Sequence, residues 1–167
     1  MSSEQGKTYA TFINEQLKAE QARRISLDDR GAKLQQSASV AVGLFAAALG
    51  LMLGKDASIG GAALALFVLA VLALSAAFLC GILATRLVSY AVADDHTMLE
   101  MLNSHWGDTE TSSRNITAGL DAKTIERLRP GNDFKAAWLL GGIACQGIGV
   151  LLGAAAFAFA AAATMQS

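Results

Sequence analysis

The chain has 167 residues, of which 53% are hydrophobic and only 16% charged, with a formal net charge of −1. That charged share lies well below the roughly one quarter typical of soluble domains, and the near-zero balance excludes a basic nucleic-acid binder and a polybasic lipid anchor. The deficit is concentrated: no Asp, Glu, Lys or Arg occurs in residues 34–54, 57–85 or 136–167, and each gap exceeds the roughly 18 apolar residues that mark a membrane span.

Residues 1–33 carry 11 charges and no early apolar run, which is not the pattern of a cleaved signal peptide. From about Thr8 to Lys33 the composition favours helix, and Tyr9, Phe12, Ile13, Leu17, Leu27 and Leu34 gather on one side at about 100° per residue, with Ile25 off the stripe. The expectation is an amphipathic cytoplasmic helix that lies on the membrane, pairs with a later segment or meets its own copies. Ser26–Lys33 (SLDDRGAK) then places two acids and two cations directly before the first uncharged run. Ser26 and Asp29 fit a helix-start capping pattern, and Arg30 and Lys33 fit side chains that snorkel to headgroups. A binding role for Asp28, Asp29 and Arg30 is the alternative.

Residues 34–54 have the length of one crossing, since 21 residues at about 1.5 Å rise give ~31 Å against a hydrocarbon core of ~30 Å. The turn Gly54–Ser58 (GKDAS) joins this span to a second at 60–85, so that 34–85 forms a transmembrane hairpin. Beyond Thr85 the helix is expected to continue to about Gly107, because Leu87, Ala91, Met98, Leu102 and Trp106 recur at helical spacing. Residues 107–119 (GDTETSSRNITAG) read as a polar loop. A short helix at 121–129 is expected to stop at Pro130-Gly131, with Asn132 or Asp133 capping a third span at 136–160 and a short outer tail to 167. Three membrane helices in an all-α chain, with a cytoplasmic connection at 86–135, is therefore the predicted fold. A soluble bundle of this size has too little interior to hide three helices that are apolar all round.

Basic residues set the expected orientation. Six lie in 1–33, one (Lys55) in the first turn, six in 86–135 and none after Lys135, which places the N-terminus and the 86–135 connection inside and the C-terminus outside. The sequon Asn115-Ile116-Thr117 then faces inward and reads as chance. Cys80 and Cys145 fall within spans and read as small packing residues rather than a disulfide or metal pair.

Three features are candidates for function. On the third span, Ala137, Gly141, Cys145, Gly149 and Gly153 recur every four residues and end in a GxxxG pair, a pattern that lets another backbone approach closely. Shorter stripes occur at Ser39, Gly43 and Ala47 and at Ala73, Ala77 and Gly81. Either packing within the chain or self-association into a homo-oligomer accounts for them. Gln146, an amide in the middle of the third span, needs a partner in lipid: a serine of a neighbouring span, or the lining of a polar path. Finally, Asp94, Asp95, His96 and Glu100 form the densest group of potential metal ligands, although acids on the wet face of a helix are ordinary and no HExxH motif is present. No catalytic motif is evident, and the chain reads as a non-enzyme with no metal and no cofactor.

Two segments, FINEQLKAEQARRISLDDRGAKLQQSASVAVGLF (Phe12 to Phe45) and FKAAWLLGGIACQGIGVLLG (Phe134 to Gly153), together with the order of elements, resemble the Pycsar transmembrane effector family of bacterial cyclic-pyrimidine anti-phage systems and related small membrane effectors. The resemblance implies a bacterial inner-membrane protein that damages the membrane of an infected cell on a nucleotide signal. It departs in one respect: no segment is long enough for a separate cyclic-nucleotide domain, so any cyclic nucleotide would meet residues 1–33 and 86–135. The competing reading is a passive structural or accessory subunit of a larger membrane complex.

Overall fold

The computed structural model describes residues 3–53, 60–86 and 95–164. Nearly all of these residues are helical: α1 (Ser3–Leu53), α2 (Gly61–Thr85), α3 (Asp95–Ser104) and α4 (Glu110–Thr164). Three of the helices, α1, α2 and α4, are long and apolar enough to cross a membrane. Two compact units emerge, Met1–Ser26 with Leu87–Phe134 and Leu27–Arg86 with Lys135–Ser167. Both α1 and α4 contribute to each unit without a break in the helix.

In the Leu27–Arg86 and Lys135–Ser167 unit, every helix hides positions spaced alternately four and three apart. On α2 these are Ala63, Phe67, Ala70, Leu74, Ala77, Gly81 and Ala84; on α1, Leu27, Gly31, Leu34 and Ala38; on α4, Lys135, Leu139, Gly142, Gly149, Gly153, Ala156 and Ala160, with half-buried Gln146 filling the gap. This is the roughly 3.5-residue seam of helices packed knobs-into-holes. Because most seam residues are Ala or Gly, backbones meet closely, as in bundles without a hydrophobic drive between helices. A Cβ on Gly81 would lie 3.1 Å from the Gly31 carbonyl oxygen, for example.

Contacts fix the directions. Gly31 meets Ala84 and Thr85, whereas Phe45 stacks edge-on against Phe67 with centroids 5.7 Å apart, so α2 runs antiparallel to α1. Phe157 of α4 closes this aromatic cluster at 6.0 Å from Phe45 and 5.7 Å from Phe67. At the other end Leu27, Leu34, Ala84 and Leu139 form an aliphatic cluster. Large side chains face outward elsewhere, up to 72% exposed at Leu51 and Leu151. Such a surface would be an aggregation hazard in water and is compatible with lipid tails as its solvent.

In the Met1–Ser26 and Leu87–Phe134 unit, α1 and α4 run parallel. Asn14 pairs with Asp121, Glu20 with Arg129 and Asn132, and Arg23 with Asp133, all at separations of 107 to 112 residues. The seam again alternates by four and three, through Ala10, Ile13, Leu17 and Glu20 on α1 and Ala118, Asp121, Ile125, Leu128 and Asn132 on α4. Tyr9 and Phe12 do not belong to it. Both are exposed, which corrects the single stripe expected from a 100° wheel: a 3.5-residue seam drifts away from those positions.

Four expectations are corrected. Ser26 does not start a helix: Ser26–Lys33 lies in mid-helix, because Leu27, Gly31 and Leu34 carry the seam straight through it. Its acids serve as partners instead of caps: Asp29 pairs with Lys33 one turn on at 2.7 Å, and Asp28 with Lys135. The second span does not continue past Thr85. Arg86 is extended (φ −54°, ψ 132°), and the Thr85 hydroxyl lies within hydrogen-bond distance of the carbonyls of Gly81 and Ile82, in the last turn.

The polar stretch 107–119 is largely helix, since α4 starts at Glu110. Thr109 accepts the Ser112 amide through its hydroxyl at 3.3 Å, and the stretch is half-buried on two sides, at Ser112 and Ile116 on one and at Arg114 and Ala118 on the other. Pro130 does not stop the helix. It sits on the exposed side of α4 between the buried Leu128 and Asn132, so packing outweighs the missing amide. Asn132 accordingly caps nothing; it is 1% exposed and donates to Glu20. The turn Gly54–Ser58, Leu87, Ala91 and Asp94 lie outside the described residues.

Candidate functional site

In the membrane-type unit, three polar contacts interrupt an otherwise apolar seam. Lys135 stands on the first seam position of α4 in this unit. Its side chain is 1% exposed, and its ammonium is bound to the Asp28 carboxylate of α1. An ammonium removed from water this far needs a counter-charge, here a carboxylate whose own side chain is 39% exposed. Two turns further along α1, Gln35 Nε2 donates to Thr85 Oγ1 at 3.0 Å, tying α1 to the end of α2. Deeper still, Gln146 Nε2 donates to Ser37 Oγ at 2.9 Å, and Ser37 passes the bond on to the Leu34 carbonyl at 3.1 Å. These clasps fix the register of helices whose Ala- and Gly-rich faces would otherwise slide with little penalty.

The five small residues of α4 are not on one face. Gly149 packs on Leu74 and the Ala70 carbonyl, where a Cβ would come within 2.8 Å of Leu74 Cγ, and Gly153 packs on the Phe45 ring. Cys145 is half-buried, while Ala137 and Gly141 are exposed, and Gly141 has nothing within 4 Å of its Cβ position. The physical reason is arithmetic: steps of four residues advance about 40° around a helix, so such a stripe crosses a 3.5-residue seam obliquely. Gly142, outside the stripe, is the residue that meets Leu34 and Cys80.

The acidic run leaves less to describe. Asp94 lies outside the described residues; Asp95 opens α3. His96 Nδ1 stands 4.0 Å from Glu100 Oε2 with both side chains largely in solvent. Among the described residues no three His, Cys, Asp or Glu side chains gather as a metal ion requires.

The other unit holds a second polar network. Glu20, 13% exposed at its side chain, accepts from Arg129 Nε at 3.1 Å and from Asn132 Nδ2 at 3.0 Å. Arg23 bridges Glu20 at 3.7 Å and Asp133 at 2.8 Å. Polar residues at seam positions of a parallel helix pair specify alignment. Sequence reasoning missed Lys135, Glu20 and Asn132 as a set. The available signal was that each falls on a four-and-three spacing shared with apolar neighbours, which marks a charged residue as internal.

Fold and contacts together define an all-helical protein with three helices able to span a bilayer, held by interhelical polar clasps. Comparison with protein-family models, with curated proteins and with solved structures gives no match.

Proposed function

We propose that this chain is a multi-pass protein of the bacterial inner membrane, N-terminus inside and C-terminus outside, that self-associates and perturbs the bilayer in response to a signal received by its Met1–Ser26 and Leu87–Phe134 unit. A cyclic nucleotide is the signal that the family resemblance suggests. The observation that carries the reading is the continuity of α1 and α4, each of which belongs to both units without a break. A helix shared by two units offers a route by which a change at one end is felt at the other. Gly43, Gly50 and Gly141, with nothing within 4 Å of their Cβ positions, leave small-residue surface that favours contact between copies.

A passive accessory subunit is the second reading. It is favoured by the pairing of Gln35, Gln146 and Lys135 within the chain, which leaves these groups no need of a partner. Induced expression separates the two. An effector arrests growth and admits a membrane-impermeant dye, and an accessory subunit produced to the same level leaves the membrane sealed. Intact membranes at high expression, with and without added cyclic nucleotides, would reject the effector reading.

A further inference from the structure

Where α3 turns into α4, Met101, His105, Trp106, Ser113, Ile116 and Thr117 line a cleft of about 330 Å³. That volume is at the small end of ligand pockets and suits a one- or two-ring molecule. His105 Nδ1 lies 3.0 Å from Asp108 Oδ2, and the same oxygen accepts the Ser112 hydroxyl at 3.3 Å. A carboxylate only accepts, so Nδ1 carries a proton, and in the neutral ring Nε2 is then the acceptor, on an imidazole already held in place.

The rest of the lining completes a pattern. Thr117 Oγ1 donates to the Ser113 carbonyl at 2.9 Å, whereas the Ser113 hydroxyl has no partner among the described residues. Trp106 is 81% exposed, leaving its indole face open for stacking. Met101 and Ile116 supply apolar walls, and among the described residues no Asp, Glu, Lys or Arg lines the cleft. Without a cation, and with the Asp108 carboxylate behind His105, the cleft disfavours anions.

We propose that this cleft binds an uncharged, planar heteroaromatic molecule with an amide-like edge. Its ring stacks on Trp106, its N–H donates to His105 Nε2, and its carbonyl accepts from the Ser113 hydroxyl. The proposal is independent of whether the chain perturbs membranes, because binding is read directly.

The test is calorimetry on the full chain in nanodiscs, with 2-pyridone, 2-quinolone and uracil as neutral probes, N-methyl-2-quinolone as the probe lacking the donor, and quinoline-2-carboxylate as the anion. At least one neutral probe is expected to saturate at one per chain. N-methylation should weaken 2-quinolone about tenfold, the effect of one lost hydrogen bond, and the anion should not bind. His105→Phe, which keeps a ring but removes Nε2, and Trp106→Ala should each weaken binding at least about tenfold, while Leu102→Ala, outside the cleft, should not. If His105→Phe loses helicity by circular dichroism, Trp106→Ala and Ser113→Ala decide. Absence of saturable binding by all three neutral probes overturns the proposal. So does equal affinity for the N-methyl compound, or binding that survives these substitutions.

Discussion

Asp28 and Lys135 show how much of this protein rests on single side chains. With Lys135 buried but Asp28 39% exposed at its side chain, Asp28→Ala leaves an ammonium with no counter-ion at the start of the apolar run, a loss below the roughly 3–5 kcal/mol of a pair buried on both sides. Lys135→Met with Asp28→Leu removes both charges and should recover most of that loss, since a well-packed apolar pair avoids the desolvation penalty altogether. Thermal unfolding of the two single variants and the double variant in detergent checks this; additive losses would show that the pair is not coupled. Gly149 and Gly141 make a second contrast. Gly149→Leu drives a side chain into Leu74 and the Ala70 carbonyl, and should sharply reduce folded yield. Gly141→Leu meets open space and should leave the fold intact while shifting the oligomer towards monomer, as read by mass in mild detergent. An unchanged mass for Gly141→Leu, with no disulfide cross-link between copies at Cys145 when Cys80 is Ala, would remove this face of α4 as a contact between copies.

At the level of elements, α4 continues through Pro130 where isolated sequence rules end it. A proline in a helix interior forfeits one amide bond and crowds the preceding turn, at about 3 kcal/mol. Here the flanking seam residues Leu128 and Asn132 are buried against the rest of their unit, and Glu20 holds Asn132 from α1. Pro130→Ala should therefore stabilise the protein, raising the unfolding temperature and slowing amide exchange on either side of position 130. Unchanged stability would mean that the proline is already accommodated without penalty. The polar start of α4 obeys the same logic, because pairing with α1 at a constant offset of about 107 to 112 residues makes helix the conformation that satisfies Asp121 and Asn132.

For the whole molecule, the uneven distribution of basic residues gives the proposed orientation, and alkaline phosphatase fused after Ser167 should be active in cells if the C-terminus lies outside. A silent C-terminal fusion, with an active one at the N-terminus, would reverse it. The sequence by itself determined that the chain is helical and that three helices have the length and apolarity to cross a bilayer, because uncharged runs are local and additive. It did not determine where helices end. The expected loop at 107–119, the stop at Pro130 and the cap at Ser26 were drawn from local turn chemistry, and each yielded to pairing with a partner more than a hundred residues away. The candidate residues divided in the same way. Gln146 was legible as an intramembrane polar group because isolation in an apolar run is visible along the chain, but its bond to Ser37 needed the fold. Lys135 and Asp28 were legible as charges and not as a pair. Only the tertiary structure chose which residues of each helix face inward, because a four-residue stripe and a 3.5-residue seam diverge slowly, and the difference emerges only when another helix is packed against them.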